Sequence, residues 1–343
     1  MKALVLETYN HFEYTEVDKP VPDDDEVLVL VKAVGICGSD VHGMDGSTGR
    51  RIPPLIMGHE ASGVIVETGK NVAGWKTGDR VTFDSTIYRL DDWYTRRGMY
   101  NLSDNRMVLG VSCGEYRRHG AFAEFVAVPQ HILYRVPEAV SFTQAALVEP
   151  FAVALHALSL AKPAVNDSVV VVGSGMIGLC VIQLLKVAGC GKIIAVDLDE
   201  NRLTMAARSG ATTCLNSKSP GVKDEILKLT DERGADQAFE AVGIGATVQL
   251  AVDSVRKGGT VTLLGNVSAE IGFPLQQVVT RQITVQGSCA ICGEYPAVLD
   301  LIAAGKLQPD EFVSAEAPLS EGAEWFSRLY RKEKGLIKVV LKP

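Results

Sequence analysis

The chain has 343 residues, a formal net charge of −7 at neutral pH and an apolar fraction of 47%. This length exceeds one ordinary hydrophobic core, so we expect two domains. The acidic balance offers no basic surface for nucleic acid, and no apolar run approaches the roughly 18 residues of a membrane span. Seven cysteines without an export signal at the N-terminus predict reduced thiols and a cytoplasmic protein.

The first 140 residues or so are rich in predicted β-strands. Short Val- and Leu-rich runs separated by glycine-containing turns predict strands at residues 2–7, 26–34, 63–68, 79–83 and 121–128. This pattern favours a barrel-like or sandwich domain. Residues 88–119 interrupt it with polar, aromatic and charged side chains, and we interpret them as a long surface excursion.

Metal-ligating residue types concentrate between residues 37 and 63. The stretch contains Cys37-Gly38-Ser39-Asp40-Val41-His42 and Gly58-His59-Glu60. Thiolate, imidazole and carboxylate are the ligands that zinc prefers, and three of them with an open fourth position form a catalytic site. The pattern therefore predicts a catalytic zinc on Cys37, His59 and Glu60. The alternative is a small buried cysteine near a His–Glu pair that only hydrogen-bonds.

The second half of the chain alternates apolar runs with helical patterns. A helical pattern over 141–161 is broken at Pro150. Apolar runs without alternation are typical of strands buried on both faces. Such runs, or similar segments, predict strands at residues 168–172, 192–196, 235–240, 260–264 and 283–287, and helical patterns between them include residues 176–188 and 200–209. This alternation predicts an α/β fold with a doubly wound parallel sheet. A helix at 296–304 and a strand at 335–341, which could return to the first domain, complete the chain.

A glycine-rich turn follows the first of these strands. Gly173-Ser174-Gly175-Met176-Ile177-Gly178 lies between a predicted strand and a predicted helix, as in dinucleotide-binding folds. Asp197 follows Gly178 by 19 residues, the expected place for a carboxylate on the adenosine ribose. A carboxylate there would repel a 2′-phosphate, so the pattern favours NAD over NADP. Arg202 could cover the adenine or could be a solvated helix residue.

Together these two features indicate hydride transfer from an alcohol to a nicotinamide. A zinc would lower the pKa of the alcohol. Ser39 is then placed to accept the hydroxyl proton, and His42 to pass it to water. The alternatives are a turn hydroxyl for Ser39 and a surface histidine for His42.

The motif that carries a family resemblance is Gly58-His59-Glu60-x-x-Gly63-x5-Gly69-x-x-Val72, which is similar to the signature of zinc-containing medium-chain alcohol dehydrogenases. The Cys37–His42 run and Glu149-Pro150 resemble the polyol branch, which includes sorbitol-, iditol- and galactitol-phosphate-type enzymes. The resemblance covers essentially the whole chain. It implies a GroES-like catalytic domain at residues 1–150, completed by 292–343, and a Rossmann NAD-binding domain at 151–291.

The resemblance also assigns roles to individual residues. It implies that Cys37, His59 and Glu60 are the catalytic-zinc ligands, and it places Glu149 at the position of a fourth ligand, bound directly or through water. It implies that residues after the later strands line the cofactor, namely Val242, Leu264, Gly265 and Ser288. His156 is interpreted as a packing residue. A homodimer or homotetramer is implied as well.

Two regions depart from the family pattern. The four cysteines of a structural zinc lobe are replaced by Arg89, Asp92, Thr95 and Ser103, so we expect one zinc per chain and no structural zinc. We expect ion pairs to hold this lobe instead, among Asp91, Asp92, Arg96 and Arg97.

The predicted substrate pocket departs too. Gly43 and Ala290 stand where some sorbitol dehydrogenases have tyrosine and arginine, which implies a pocket with less bulk and no such cation. Arg50 and Arg51 could serve a phosphorylated or acidic substrate, although we interpret them as a solvated loop.

The sequence thus predicts a zinc- and NAD-dependent dehydrogenase that oxidises a secondary hydroxyl of a polyol or sugar derivative to a ketone. A threonine-type hydroxy amino acid dehydrogenase is the enzymatic alternative. A retired dinucleotide-binding homologue and a zinc-free reductase are further alternatives. The intact set of Cys37, His59, Glu60 and Glu149 disfavours both of these.

Overall fold

The computed structural model describes residues 1–113 and 116–343. Over these residues the chain divides into two units. The first comprises Met1–Glu149 and Ile291–Pro343, and the second comprises Pro150–Ala290. Within the described residues, no helix combines the length and the apolar character needed to cross a membrane.

The strands, in chain order, are β1 Lys2–Thr8, β2 His11–Glu16, β3 Glu26–Gly35, β4 Leu55–Ile56, β5 Glu60–Thr68, β6 Arg80–Phe83, β7 Thr86–Ile87, β8 Met107–Val108, β9 Val111–Cys113, β10 Tyr116–Arg118, β11 Phe125–Pro129, β12 Leu133–Arg135, β13 Ser168–Val172, β14 Lys192–Asp197, β15 Thr213–Asn216, β16 Ala235–Glu240, β17 Val255–Leu263, β18 Thr284–Gly287, β19 Val313–Pro318 and β20 Lys338–Lys342.

The α-helices are α1 Gly38–Gly43, α2 Phe142–Ala146, α3 Val148–Ala161, α4 Met176–Ala188, α5 Glu200–Ser209, α6 Val222–Leu229, α7 Gly245–Ser254, α8 Leu275–Thr280, α9 Tyr295–Ala303 and α10 Gly322–Tyr330. Short 3-10 segments occur at Thr95–Arg97, Tyr100–Leu102, Gln130–Ile132, Pro309–Phe312 and Leu319–Glu321.

Strand β3 is the centre of the main sheet of the first unit. It pairs antiparallel with β5, β11 and β20, and the sheet continues through β6 to β12 on one side and to β19 on the other. The Val- and Leu-rich sequence of β3 is almost entirely buried, because this strand is covered on both faces. Its carboxyl end at Gly35 meets both β5 and β20, so three strands converge where Cys37 follows.

The second unit contains a parallel sheet in the order β15-β14-β13-β16-β17-β18. Numbered within this unit, the order is 3-2-1-4-5-6, the doubly wound arrangement whose ligand crevice lies at the carboxyl ends of the strands. The apolar run of β13 is buried along nearly its whole length, as expected for a central parallel strand. The predicted fold class, a β-rich domain plus a doubly wound parallel sheet, is confirmed.

One helix break lies elsewhere than predicted. We expected the helical pattern over 141–161 to break at Pro150, but the interruption is at Leu147, between α2 and α3. Pro150 is the third residue of α3. Amides in the first turn of a helix have no intrahelical acceptor, so a proline costs no hydrogen bond there.

The region predicted as a surface excursion forms a lobe with defined contacts. Tyr88 and Tyr100 stack with ring centroids 4.3 Å apart, and the Tyr100 hydroxyl donates to the buried Asp84 carboxylate at 2.9 Å. The backbone amide of Gly293 donates to the same hydroxyl at 2.8 Å, which ties the lobe to the C-terminal segment of its unit. Residues 114 and 115 of this excursion lie outside the described residues.

The charged residues of the lobe make contacts other than those expected. The sequence predicted ion pairs among Asp91, Asp92, Arg96 and Arg97. Instead, Asp91 pairs with Arg89 at 3.1 Å on the surface. Asp92 accepts two backbone amides of its own turn at 2.9 and 3.2 Å. Its carboxylate therefore shapes a turn, a common role for aspartate.

Candidate active site

Cys37, His59 and Glu60 lie together at the end of strand β3. One ligand atom from each lies within 4.8 Å of the others. The pairing of β3 with β5 brings them together, because Gly35 pairs with Glu60 and Cys37 follows two residues later. Among the described residues, this is the one cluster of three such side chains that could hold a metal ion.

A lysine that the sequence analysis missed lies against this cluster. Lys338 is 2% exposed, and its ammonium donates to the two Glu60 carboxylate oxygens at 2.7 and 2.8 Å and to the Ile36 carbonyl at 3.0 Å. Burial alone would lower the pKa of Lys338, but Glu60 and Cys37 outweigh it and raise that pKa. The sequence feature that could have identified Lys338 is its position as the lone charged residue in the apolar run 336–341. A lysine buried in such a strand requires an acidic partner.

Two acidic groups of the cluster have raised pKa values. Burial, and then the Glu60 carboxylate, raises the pKa of the Cys37 thiol to about 12. Burial also raises the pKa of Glu149 well above its ordinary value, with His59 acting in the opposite direction. Glu149 lies in the first turn of α3 and outside the group of ligand atoms within 4.8 Å. Burial therefore disfavours the ionised form of both groups, and a bound cation would favour it.

Arg51, predicted to belong to a solvated loop, is buried instead. It is 4% exposed, and its guanidinium pairs with Asp40 at 2.7 Å. Asp40 is fully buried on the inner side of α1, where a carboxylate requires a counter-charge. The solvated-loop interpretation of Arg51 is therefore wrong, and its charge is not free for an acidic substrate. Arg50 is exposed, as predicted.

Ser39 and His42 occupy the exposed side of α1. They are three residues apart, so they lie on one face of the helix, and both are exposed. The Ser39 hydroxyl donates to the Cys37 thiol at 3.2 Å. The His42 side chain forms no described hydrogen bond with Ser39. The structure thus brings Ser39 to the cluster and leaves His42 one helical turn further along.

The predicted dinucleotide turn joins β13 to α4 in the second unit. A side chain at Gly178 would overlap the Gly173 carbonyl oxygen, so only glycine permits this close approach of strand and helix. A side chain at Gly175 would meet no atom within 4 Å. Gly175 therefore faces open space at the start of α4, next to Met176 and Ile177, where free amides can receive a pyrophosphate.

Asp197 ends β14 and is 7% exposed. One of its oxygens accepts the Ser174 amide at 2.7 Å, and the other accepts the Asp199 amide at 3.0 Å. The carboxylate is thus fixed against the glycine-rich turn and keeps further lone pairs for a ligand. The Arg202 guanidinium lies 3.9 Å from Asp197 and is 44% exposed.

The other predicted cofactor residues follow the next strands of the parallel sheet, at its carboxyl edge. Val242 follows β16, Leu264 and Gly265 follow β17, and Ser288 follows β18. The Ser288 hydroxyl is buried without a hydrogen-bond partner, as a group awaiting a ligand would be.

Glu240, at the end of β16, is a buried residue of this edge that the sequence analysis missed. One oxygen accepts the amides of Val242 and Gly243 at 2.9 and 2.8 Å. The other oxygen has no partner, and the side chain is fully buried. The sequence feature that could have identified Glu240 is an acidic residue at the end of a predicted parallel strand.

Comparisons with known proteins match both units. Residues 23–138 match the alcohol dehydrogenase GroES-like domain, and residues 177–304 match the zinc-binding dehydrogenase domain. Sorbitol dehydrogenase of Bacillus subtilis is 32% identical over 349 residues, covering 100% of this chain and 97% of that protein.

Solved structures give the same result. Galactitol-1-phosphate dehydrogenase from Escherichia coli superposes with a TM-score of 0.92 at 26% identity, covering all of both chains. A putative zinc-binding dehydrogenase from Sinorhizobium meliloti 1021, bound to NADP, superposes with a TM-score of 0.90 at 29% identity, covering 100% of this chain and 99% of that chain. The chain described here belongs to the zinc-type medium-chain alcohol dehydrogenase family.

Proposed function

We propose that this chain is a zinc- and NAD-dependent dehydrogenase that oxidises a secondary hydroxyl of a polyol or sugar derivative to a ketone. The observation that carries the proposal is the cluster of Cys37, His59 and Glu60 in one unit, together with an open dinucleotide turn in the other. The likeness to sorbitol dehydrogenase over the full chain supports a polyol as the substrate class.

The donor set fits zinc. Ligand atoms around a tetrahedral zinc lie about 3–4 Å apart, and the three atoms here lie within 4.8 Å of one another. Small side-chain adjustments therefore suffice to bind the ion. A thiolate, an imidazole and a carboxylate also leave a fourth position for substrate, as a catalytic site requires.

The charges around the cluster fit a divalent cation. Lys338 pairs with Glu60, and Arg51 pairs with Asp40. The remaining acidic groups are Cys37 and Glu149, which carry two negative charges when both are ionised. A 2+ ion balances these two charges and restores neutrality to a buried site, where net charge is costly.

The chemistry follows from these positions. When bound, zinc supplies Lewis-acid polarisation of the substrate hydroxyl and lowers its pKa. Ser39, adjacent to the Cys37 thiol at 3.2 Å, would accept the hydroxyl proton and release its own, which the exposed His42 would pass to water. Glu149 would hold the metal directly or through a water. A bound nicotinamide would accept the hydride from the substrate carbon.

NAD is the proposed acceptor. Asp197 is held by the Ser174 amide at 2.7 Å, so it can accept hydrogen bonds from ribose hydroxyls and repel a 2′-phosphate. Arg202 would cover the adenine. The remaining cofactor contacts would come from Met176, Ile177, Val242, Leu264, Gly265 and Ser288. The NADP bound by the Sinorhizobium relative is a property of that protein, so the preference needs its own test.

The decisive experiment measures NAD reduction at pH 8 with sorbitol, xylitol, galactitol, galactitol 1-phosphate and threonine. Activity with a polyol, lost on chelation and restored by zinc, supports the proposal. Cys37→Ser should reduce turnover at least ~1,000-fold while NADH binding persists, since loss of a metal ligand removes the ion that polarises the substrate. Cys190→Ser, in the other unit, is the matched control. Full activity of Cys37→Ser refutes the zinc mechanism, and activity with threonine alone refutes the substrate class.

The cofactor preference is tested by Asp197→Ala. We expect the ratio of kcat/KM for NAD over NADP to fall at least ~10-fold, which corresponds to about 1.4 kcal/mol. An unchanged ratio refutes the role of Asp197. We also propose a cytoplasmic homodimer or homotetramer, which light scattering of the purified enzyme distinguishes from a monomer.

A further inference from the structure

The guanidinium of Arg51 is held by a fixed set of acceptors inside the first unit. Its Nε donates to one oxygen of Asp40, Oδ1, at 2.9 Å, and its Nη2 lies 2.7 Å from the same oxygen in an ion pair. Its Nη1 donates to the Arg50 carbonyl at 3.0 Å. With 4% of its surface exposed, this side chain has one geometry available rather than many.

The second oxygen of Asp40 faces the metal cluster. Oδ2 lies 3.4 Å from the Nδ1 atom of His59. Both atoms are buried and have no hydrogen-bond partner. A hydrogen bond between these two atoms would satisfy both of them, since buried polar atoms left without a partner are destabilising. Asp40 is therefore placed between Arg51 and a predicted metal ligand, and a hydrogen bond from His59 Nδ1 to Asp40 would leave the Nε2 atom available to hold a metal.

A second contact of Arg51 reaches another predicted ligand. Its Nη2 donates to the Ser39 hydroxyl at 3.2 Å. That hydroxyl in turn donates to the Cys37 thiol at 3.2 Å. The Arg51 guanidinium thus reaches His59 through Asp40 and Cys37 through Ser39.

The chain makes room for this guanidinium at Gly43. A side-chain carbon at position 43 would lie 2.5 Å from the Arg51 Cγ atom and 3.4 Å from its Cβ atom. Any residue other than glycine would displace the Arg51 stem. The departure from the family pattern at Gly43 and the burial of Arg51 are therefore one structural feature.

We propose that Arg51, seated against Gly43, is a positioning residue that holds Asp40 against His59 and Ser39 against Cys37, and so fixes two ligands of the metal centre. This inference rests on the zinc site of the proposed function. The rigid planar fork of arginine presents its donors to Asp40 and Ser39 in one fixed geometry, which the freely rotating ammonium of a lysine does not. Partners of this kind orient metal ligands, and their loss typically weakens metal binding about 10–100-fold.

The test measures zinc dissociation constants by competition with a chromophoric chelator, together with kcat and the KM for NAD. We expect Arg51→Met to weaken zinc binding about 10–100-fold and to lower kcat without changing the KM for NAD. Arg51→Lys, which keeps the buried charge and safeguards folding, should weaken it at least about 10-fold. Arg50→Met, at the neighbouring exposed residue, should retain wild-type values.

The double variant Arg51→Met with Asp40→Asn tests whether Arg51 acts through Asp40. If it does, the double variant loses less zinc affinity than the sum of the two single losses, and any loss beyond that of Asp40→Asn alone reports the Ser39 contact. Additive losses, or wild-type zinc affinity in Arg51→Lys and Arg51→Met, overturn the inference. So does a loss of stability in urea without a loss of zinc affinity. A wild-type protein that binds no zinc refutes the proposed function instead, which separates the two failures.

Discussion

The buried Asp84 carboxyl should make the first unit less stable at neutral pH than at pH 4. Burial raises its pKa from 3.8 to about 6, although Thr86 and Tyr100 donate hydrogen bonds to it. In the unfolded chain this carboxyl ionises near pH 3.8, so the folded state binds an extra proton between about pH 4 and 6. Stability present below this window is lost as pH rises through the folded pKa.

The size of the effect follows from the shift. A difference of about two pKa units at about 1.36 kcal/mol each gives about 3 kcal/mol at pH 7. Asp84→Asn removes the ionisation while keeping an oxygen for the Thr86 amide, which donates at 2.9 Å. Its amide nitrogen can donate to Tyr100. The variant should therefore gain about 3 kcal/mol relative to wild type between pH 4 and pH 7.

Tryptophan fluorescence in urea can measure this difference. Trp75, Trp93 and Trp325 are the only tryptophans, and all three belong to the first unit, as Asp84 does. Measurements in chelator keep metal release at low pH out of the comparison. The control is Asp45→Asn. The Ser47 hydrogen bonds lower the pKa of Asp45, so loss of this carboxylate should not stabilise the variant relative to wild type as pH rises. A stability difference between Asp84→Asn and wild type that is constant from pH 4 to 7 would refute the reasoning.

Three further predictions concern the metal, its lysine and the glycine-rich turn. Elemental analysis should find about one zinc per chain; two tightly held ions would contradict the loss of the structural site. Lys338→Met leaves Glu60 buried without its partner and should cost the first unit about 3–5 kcal/mol in urea, whereas Lys342→Met on the same strand should cost at most about 1 kcal/mol. Gly175→Ala should fold normally and lose NADH binding, as measured by fluorescence titration. Gly178→Ala should lose NADH binding and in addition have a lower unfolding temperature by circular dichroism, because its new side chain overlaps the Gly173 carbonyl. Equal behaviour of the two glycine variants would contradict the assignment of Gly175 to the ligand.

The parallel sheet was the easier part of the fold to predict. The segments 168–172, 176–188, 200–209 and 235–240 were predicted with the bounds that the structure has. The apolar run 168–172 is typical of a strand buried on both faces, and the regular alternation of strands and helices identified the others. The first unit was harder. Strand β2, His11–Glu16, was missed because its residues are mostly exposed and carry little apolar pattern. Strand β19 was missed as well, although its apolar and polar residues alternate.

The candidate metal ligands were predictable because they lie close together in sequence around one strand pair. Their charged partners were not. Lys338 is 278 residues from Glu60, and only the pairing of β20 with β3 brings it there. Arg51 is near Asp40 in sequence, but its burial depends on the fold of the loop between α1 and β4. A sequence pattern identifies residue types that suit a metal, whereas charge compensation depends on which side chains become buried together.

The contact between Gly43 and Arg51 also bears on which substrates the site accepts. The sequence alone implied a roomier pocket at Gly43 and offered Arg50 and Arg51 as candidates to bind a phosphate. In the folded chain the Arg51 stem fills the space beside Gly43, so the absent side chain leaves no added volume there. The Arg51 charge is already balanced by Asp40 at 2.7 Å, and Arg50 is exposed. This loop therefore supplies no buried, unpaired cation, and the exposed Arg50 would add at most about 1 kcal/mol to the binding of a phosphate or carboxylate on the substrate. An uncharged polyol suits this side of the site better than a sugar phosphate, so galactitol should be oxidised with a higher kcat/KM than galactitol 1-phosphate.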